Sequence, residues 1–160
     1  MILVECYGDE ALLNSLGFKD IFHNFGSGEV GNQLIRSNNK IAMIDADPTK
    51  TKHRYFQNLQ PFKEKKYSIN TFMDSNRNNY VVQLDPDLEG YLLKMISETK
   101  TFDLLTKHNI PSTRENLHEY LAKRTISKVF ETFLKEVIVR NTPHFVYIKS
   151  LLEELEGLAQ

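Results

Sequence analysis

Cysteine is almost missing from this chain. Cys6 stands alone among 160 residues, which excludes an internal disulfide and any cysteine-built zinc site. The five histidines, His23, His53, His108, His118 and His144, include no pair at metal-ligand spacing, and neither H-E-x-x-H nor G-x-S-x-G occurs; the usual zinc-peptidase and serine-hydrolase signatures are therefore absent. No apolar run approaches the roughly 18 residues of a membrane helix, and Met1-Ile2-Leu3-Val4-Glu5 has neither the basic start nor the cleavage site of a secretory leader. These absences predict a cytoplasmic protein with no membrane partner. The net charge of −1 gives no whole-molecule attraction for polyanions. Charge is unevenly spread, however. Lys50, Lys52, Arg54, Lys63, Lys65 and Lys66 face only one acid, Glu64, over residues 50–66. Such a segment reads either as a solvated surface or as a local phosphate-binding patch.

What is present is an alternation of short apolar runs with helical periodicity. Ile2-Leu3-Val4 reads as a buried strand. Gly8-Asp9 then reads as a turn and N-cap before Ala11, Leu12, Leu13 and Leu16 at helical spacing, with Gly17 as the C-terminal cap. A strand from Ile21 leads to Gly26-Ser27-Gly28-Glu29-Val30-Gly31, followed by a helix through Leu34 and Ile35. Lys40 to Ile44 is a third strand, ending in Asp45-Ala46-Asp47-Pro48. This order predicts an α/β fold, a compact Rossmann-like and mainly parallel sheet. Tyr55, Phe56 and Leu59 predict a helix stopped by Pro61, and Tyr67–Phe72 and Tyr80–Leu84 two more strands. Asp85-Pro86 reads as an N-cap with proline at the first helical position. Beyond residue 100 the apolar residues recur every three or four positions. Ser112 with Glu115 suggests a capping box, and Thr142-Pro143 the start of a last helix. The expected organisation is an α/β unit over residues 1–100 and a helical C-terminal segment over residues 101–160 packed on it.

Ligands of an open parallel sheet bind beyond the carboxyl ends of its strands. Glu5 ends the first strand, the glycine loop follows the second, Asp45 and Asp47 end the third, and Asp85, Asp87 and Glu89 follow the last. Carboxylates gathered on one edge repel each other without a cation, and Mg2+ or Mn2+ is served by one or two carboxylates and several waters. Glu5, Asp45, Asp47 and Glu89 are thus candidate metal ligands, and Glu5, Asp45 and Asp47 candidate catalytic residues. Asp45 and Asp47, two apart, are expected on one side of an extended chain. Each has a structural alternative: Glu5 an exposed strand end, Asp47 and Asp85 helix caps, Asp87 and Glu89 complements to a helix dipole. The loop matches G-x-G-x-x-G, a dinucleotide fingerprint, although it follows the second strand rather than the first. Its backbone at Gly26 and Gly28 suits any phosphate. Lys50, Lys52 and Arg54 are candidate contacts to a nucleic-acid backbone.

Val4-Glu5-Cys6-Tyr7-Gly8-Asp9-Glu10-Ala11-Leu12-Leu13, the glycine loop and Ile41-Ala42-Met43-Ile44-Asp45-Ala46-Asp47-Pro48 together resemble a Toprim domain, the catalytic fold of topoisomerases, bacterial primases and nucleases of the overcoming-lysogenization-defect family. Leu84-Asp85-Pro86-Asp87-Leu88-Glu89 with Tyr91-Leu92-Leu93 extends the likeness to small stand-alone Toprim-like proteins. The resemblance implies that Glu5 and the Asp45-x-Asp47 pair bind magnesium, with Glu5 a general acid or base, in nuclease-like phosphoryl transfer on nucleic acid. Cys6 replaces the family's usual glycine, and Thr49 a third aspartate found in many members. Those departures leave open a non-catalytic binding or regulatory module. Asp45-Ala46-Asp47-Pro48-Thr49 also looks like the D-x-D-x-T of haloacid-dehalogenase-type phosphatases, with Asp45 as nucleophile and Asp47 as acid or base.

Overall fold

The computed structural model describes residues 1–47, 51–123, 127–140 and 142–160, without the side chain of residue 127. Among these, β1 (Ile2–Val4), α1 (Tyr7–Leu16), β2 (Ile21–His23), α2 (Ser27–Arg36), β3 (Ile41–Asp45) and α3 (Arg54–Gln57) precede a meander of β4 (Gln60–Lys66), β5 (Ile69–Asp74) and β6 (Asn79–Leu84). The helices α4 (Leu88–Thr99), α5 (Phe102–Lys107), α6 (Arg114–Leu121), α7 (Ser127–Val139) and α8 (Pro143–Leu158) complete the chain.

The strands form one six-stranded sheet in the order β2-β1-β3-β6-β5-β4. β2, β1, β3 and β6 run parallel, and β5 pairs antiparallel with both β6 and the edge strand β4. This is an α/β fold with a mostly parallel sheet, compatible with a Rossmann-like architecture. β1, β3 and β6 are buried and mostly apolar because both faces are covered, whereas β2 at the edge is partly exposed. Alternate residues divide between two cores. Ile2, Val4, Ile41, Met43, Tyr80, Val82 and Leu84 face α1, α4, α5, α7 and α8, whereas Leu3, Ala42, Ile44 and Val81 face α2 and α3. The helices beyond residue 100 therefore share one core with α1 and the sheet. Among the described residues no helix is long and apolar enough to cross a membrane.

Local chemistry explains the element ends. Gly17 closes α1 in the left-handed region, φ 99°, and Phe18 donates back to the Leu13 carbonyl, the pairing of a helix-terminating glycine cap. Asn79, fully buried, donates to the Leu34 and Ser37 carbonyls and the Tyr55 hydroxyl, and accepts from the Lys40 amide. One side chain thereby binds the end of α2 to β3 and α3 with its polar atoms satisfied.

Several sequence expectations shift. Cys6, rather than Asp9, caps α1: its sulfur accepts from the Asp9 amide, and Gly8 and Asp9 are buried in the first turn. A Cβ on Gly8 would come within 2.6 Å of Leu88 Cδ2, so the glycine serves the contact between α1 and α4 rather than a turn. Residues 60–66 form an edge strand instead of the surroundings of a helix stop, and Tyr67 joins Ser68 in the hairpin turn, both at positive φ. The cap of α4 is Asp87, accepting from Gly90 N at 2.7 Å, and that of α6 is Thr113, accepting from Asn116 N. Thr142-Pro143 starts α8 as expected.

Candidate functional site

Chain order reverses at β1. β2 lies on one side of it and β3 on the other, with α1 and α2 on opposite faces. That reversal opens a crevice beyond the carboxyl ends of β1 and β3, the ligand position of such sheets. Glu5 and Asp45 flank it. They meet directly: the Asp45 backbone amide donates to Glu5 Oε1 at 2.5 Å. Asp45 continues the alternation of Ile41 and Met43 toward α4, where its Oδ1 accepts the Leu88 amide at 2.9 Å. Two residues 40 positions apart are thus joined, and the second is anchored to the start of a helix 43 positions further on.

Asp9 is the site member that the sequence reading missed. It is fully buried in the first turn of α1, where its Oδ2 accepts the Cys6 thiol at 3.2 Å, while its Oδ1 is buried with no hydrogen-bond partner. The available signal was an acid three residues after a capping position. Burial, then the nearby Glu5 charge, pushes the Asp9 carboxyl from 3.8 up to about 8. Burial, followed by the charges of Asp9, Glu5 and Glu89, pushes Asp45 up to about 10. The Cys6 thiol is raised too, by burial and then Asp9, which is the reverse of an activated nucleophile. Without a counter-charge, burial and the neighbouring carboxylates favour the neutral form of Asp9 and of Asp45.

Asp47 lines the same cavity as Glu5 and Asp45, together with Ser27, Thr51, Lys52 and His53. Strand alternation does not bring it there. β3 ends at Asp45, Asp47 takes φ 25°, and its amide donates to the Pro86 carbonyl. The cavity is about 30 Å³, room for one or two waters.

Gly26 caps α2 at φ 95° and donates its amide to the Glu5 carbonyl at 3.2 Å. Gly28 is exposed in the first turn, with open space where a Cβ would stand. Gly31 is packed against His53, whose ring would lie 2.3 Å from a Cβ. The three glycines thus answer separate demands: a left-handed backbone, no steric demand, and a helix-to-strap contact. Lys52 is at the cavity, whereas Arg54 lines a different cleft, with Ile35, Asp74 and Arg77. Lys50, Pro48 and Thr49 lie outside the described residues.

The helical segment also reaches this edge. On α6, Arg114 donates from two guanidinium nitrogens to Asp87 Oδ2, and His118 Nδ1 pairs with Oε1 of the buried Glu89 at 2.9 Å. Asp85 pairs with Lys65. Glu89 and Asp87 therefore have protein partners, and among the described residues no group of three or more His, Cys, Asp or Glu side chains is arranged to hold a metal ion. Compared with family models, curated proteins and solved structures, the chain gives no match.

Proposed function

We propose that the β1–β3 edge is a Mg2+- or Mn2+-dependent, Toprim-like phosphoryl-transfer centre acting on nucleic acid, with nuclease-like chemistry. The observation that carries this reading is the direct junction of Glu5 with Asp45 at the crevice where chain order reverses. The donor set suits a hard cation. It consists of carboxylate oxygens, one of which, Asp9 Oδ1, is buried without a partner. Mg2+ takes only one or two carboxylates and keeps its waters, so a complete protein cage is not needed. One hydrogen bond to Asp45 Oδ1 leaves that side chain most of the four lone-pair sites of a carboxylate.

A bound divalent cation would polarise the phosphate and lower the pKa of a coordinated water. Asp45 and Asp47 would hold it. Glu5, oriented by the Asp45 amide, would serve as a ligand or as the general base. Leading amides of α2, at Ser27 and Gly28, have no partner within their own helix and suit a phosphate oxygen. Lys52 supplies a cation at the same cavity.

Titration calorimetry with Mg2+ and with Mn2+ at pH 7.5 tests the reading. Wild type is expected to bind, and Asp45→Asn to weaken binding at least tenfold, or about 1.4 kcal/mol. Metal-dependent cleavage of single- or double-stranded nucleic acid should disappear in Asp45→Asn and in Glu5→Gln. Absence of metal binding, or binding indifferent to Asp45→Asn, overturns the metal site. Binding without cleavage makes the chain a non-catalytic module. Phosphomonoester hydrolysis that survives Glu5→Gln but not Asp45→Asn makes it a phosphatase.

A further inference from the structure

A second concavity abuts the acidic edge. Its volume is about 460 Å³, and it lies among Tyr7, Glu10 and Asn14 of α1, His23 and Phe25 at the end of β2, and Glu131 of α7. Three rings line up in it: Tyr7 to His23 with centroids 4.2 Å apart and tilted by 40°, and His23 to Phe25 at 5.2 Å, edge-on. Phe25 is 84% exposed, unusual for a phenylalanine with a folded core nearby. Backbone bonds hold this row beside the candidate site. Asn24 N donates to the Val4 carbonyl at 2.8 Å and Gly26 N to the Glu5 carbonyl, so Phe25 is gripped between residues that define the end of β1. Tyr7 is two residues beyond Glu5.

The geometry points to a nucleobase subsite, which we propose takes an unpaired, amino-bearing base of single-stranded nucleic acid. This inference rests on the phosphoryl-transfer reading of the neighbouring edge. Aromatic faces stack bases of any sequence. The two carboxylates, Glu10 and Glu131, repel a phosphate and accept from an exocyclic amino group, as an acid does from cytosine N4. Asn14 Nδ2 donates to Glu131 Oε1 at 3.4 Å, which orients that acceptor. The volume suits a base with its sugar. A base seated here leaves its phosphate outside the acidic pocket, on the side of Glu5 and the start of α2. A base within a duplex has both faces stacked on its neighbours, so the subsite selects single strands.

The test uses the whole protein in EDTA and 5′-fluorescein octamers of dC and of dT, followed by anisotropy, with the dC octamer annealed to its complement as a third probe. Expected are tighter binding of dC than dT, weak binding of the duplex, and a roughly tenfold loss of dC affinity in Phe25→Ala. Phe25 is outside the core, so this variant keeps its fold, checked by an unchanged melting temperature. Asp45→Asn should bind dC at least as well as wild type, which separates the subsite from the metal centre. A Phe25 effect in a protein that never cleaves supports the subsite and overturns the phosphoryl-transfer reading. Equal binding by wild type and Phe25→Ala, no binding of either octamer, or displacement of dC by millimolar tetramethylammonium, the mark of an amine cage, overturns the subsite.

Discussion

Metal-free protein is expected to lose stability as the pH rises from about 4 to about 8, and Asp9→Asn to remove much of that loss. The Asp9 carboxyl titrates near 3.8 when solvated and is pushed up to about 8 in the fold by burial and the Glu5 charge. A group raised in the folded state binds its proton there over a pH range in which the unfolded chain has released it. Stability is then full below the unfolded value and declines with pH until the folded value is passed. Each pH unit of that window is worth about 1.4 kcal/mol per group, so Asp9, together with Asp45, which burial and then the Asp9 charge raise, accounts for a loss of several kcal/mol, a large part of the stability of a small domain.

Asparagine preserves the shape and can still accept the Cys6 thiol, but carries no charge at any pH. At pH 8 in EDTA the variant should be the more stable protein by several kcal/mol, and at pH 4 the two should converge. Urea unfolding at half-unit pH steps measures the difference. Taking variant minus wild type cancels surface pairs such as Asp103 with Arg140 and Glu136 with Lys107, which lower those carboxyls and act in the opposite sense at acid pH. Parallel pH profiles would show that Asp9 is not the strained group. Saturating Mg2+ should flatten the wild-type profile in the same direction, because a cation favours the ionised carboxylates that the empty edge penalises.

Why Asp9 was hidden while Glu5 and Asp45 were not is a matter of which forces act locally. β1, β3 and β6 are buried on both faces, so their apolar runs are legible, and the acids that end them fall on one edge once the strands are parallel. The assignment of strand ends needs no knowledge of contacts. Asp9 follows a glycine, and glycine before aspartate ordinarily marks a turn. Here Gly8 lies inside α1, and it is a glycine because Leu88, eighty positions away, leaves no room for a side chain. The same long-range origin conceals Arg114 and His118, whose α6 surface is unremarkable until it lies against Asp87 and Glu89. β4 escapes for another reason. It is an exposed edge strand, with Pro61 and three lysines among its seven residues, the composition by which edges avoid further pairing. Its hairpin turns on Tyr67-Ser68, both in the left-handed region without a glycine to announce it. Asp85 before Pro86 reads as a cap, but its amide bonds the Ser68 carbonyl of the hairpin and its carboxylate pairs with Lys65, so the helix begins only when Asp87 reaches the Gly90 amide.

Cutting the chain after residue 100 is expected to abolish cooperative folding rather than release a smaller α/β unit. Among the described residues beyond that point fourteen apolar ones are buried, Phe130, Phe133, Leu134, Phe145 and Leu152 included. They share a core with Leu12, Leu13 and Leu16 of α1 and with one face of the sheet. At about 1.5–3 kcal/mol for each large side chain buried, this contact far exceeds a net stability of about 5–15 kcal/mol. Part of that sum leaves with the entropy cost of the deleted residues. What remains is α1 and a sheet face exposed to water along their whole apolar stripe, and no gain offsets that exposure. The fragment should lack a sigmoidal urea transition and dispersed amide resonances; a sharp transition would mean that residues 1–100 fold by themselves. A milder variant asks the same question within the full chain. Phe133→Ala should cost about 3–5 kcal/mol, and because the core is continuous the loss should appear in a single transition, identical by tyrosine fluorescence and by far-ultraviolet circular dichroism. Two separated transitions would mean that the sheet folds without its helices. Since Arg114 and His118 reach Asp87 and Glu89 from α6, a single transition would also mean that the acidic edge is not assembled until the last third of the chain has docked.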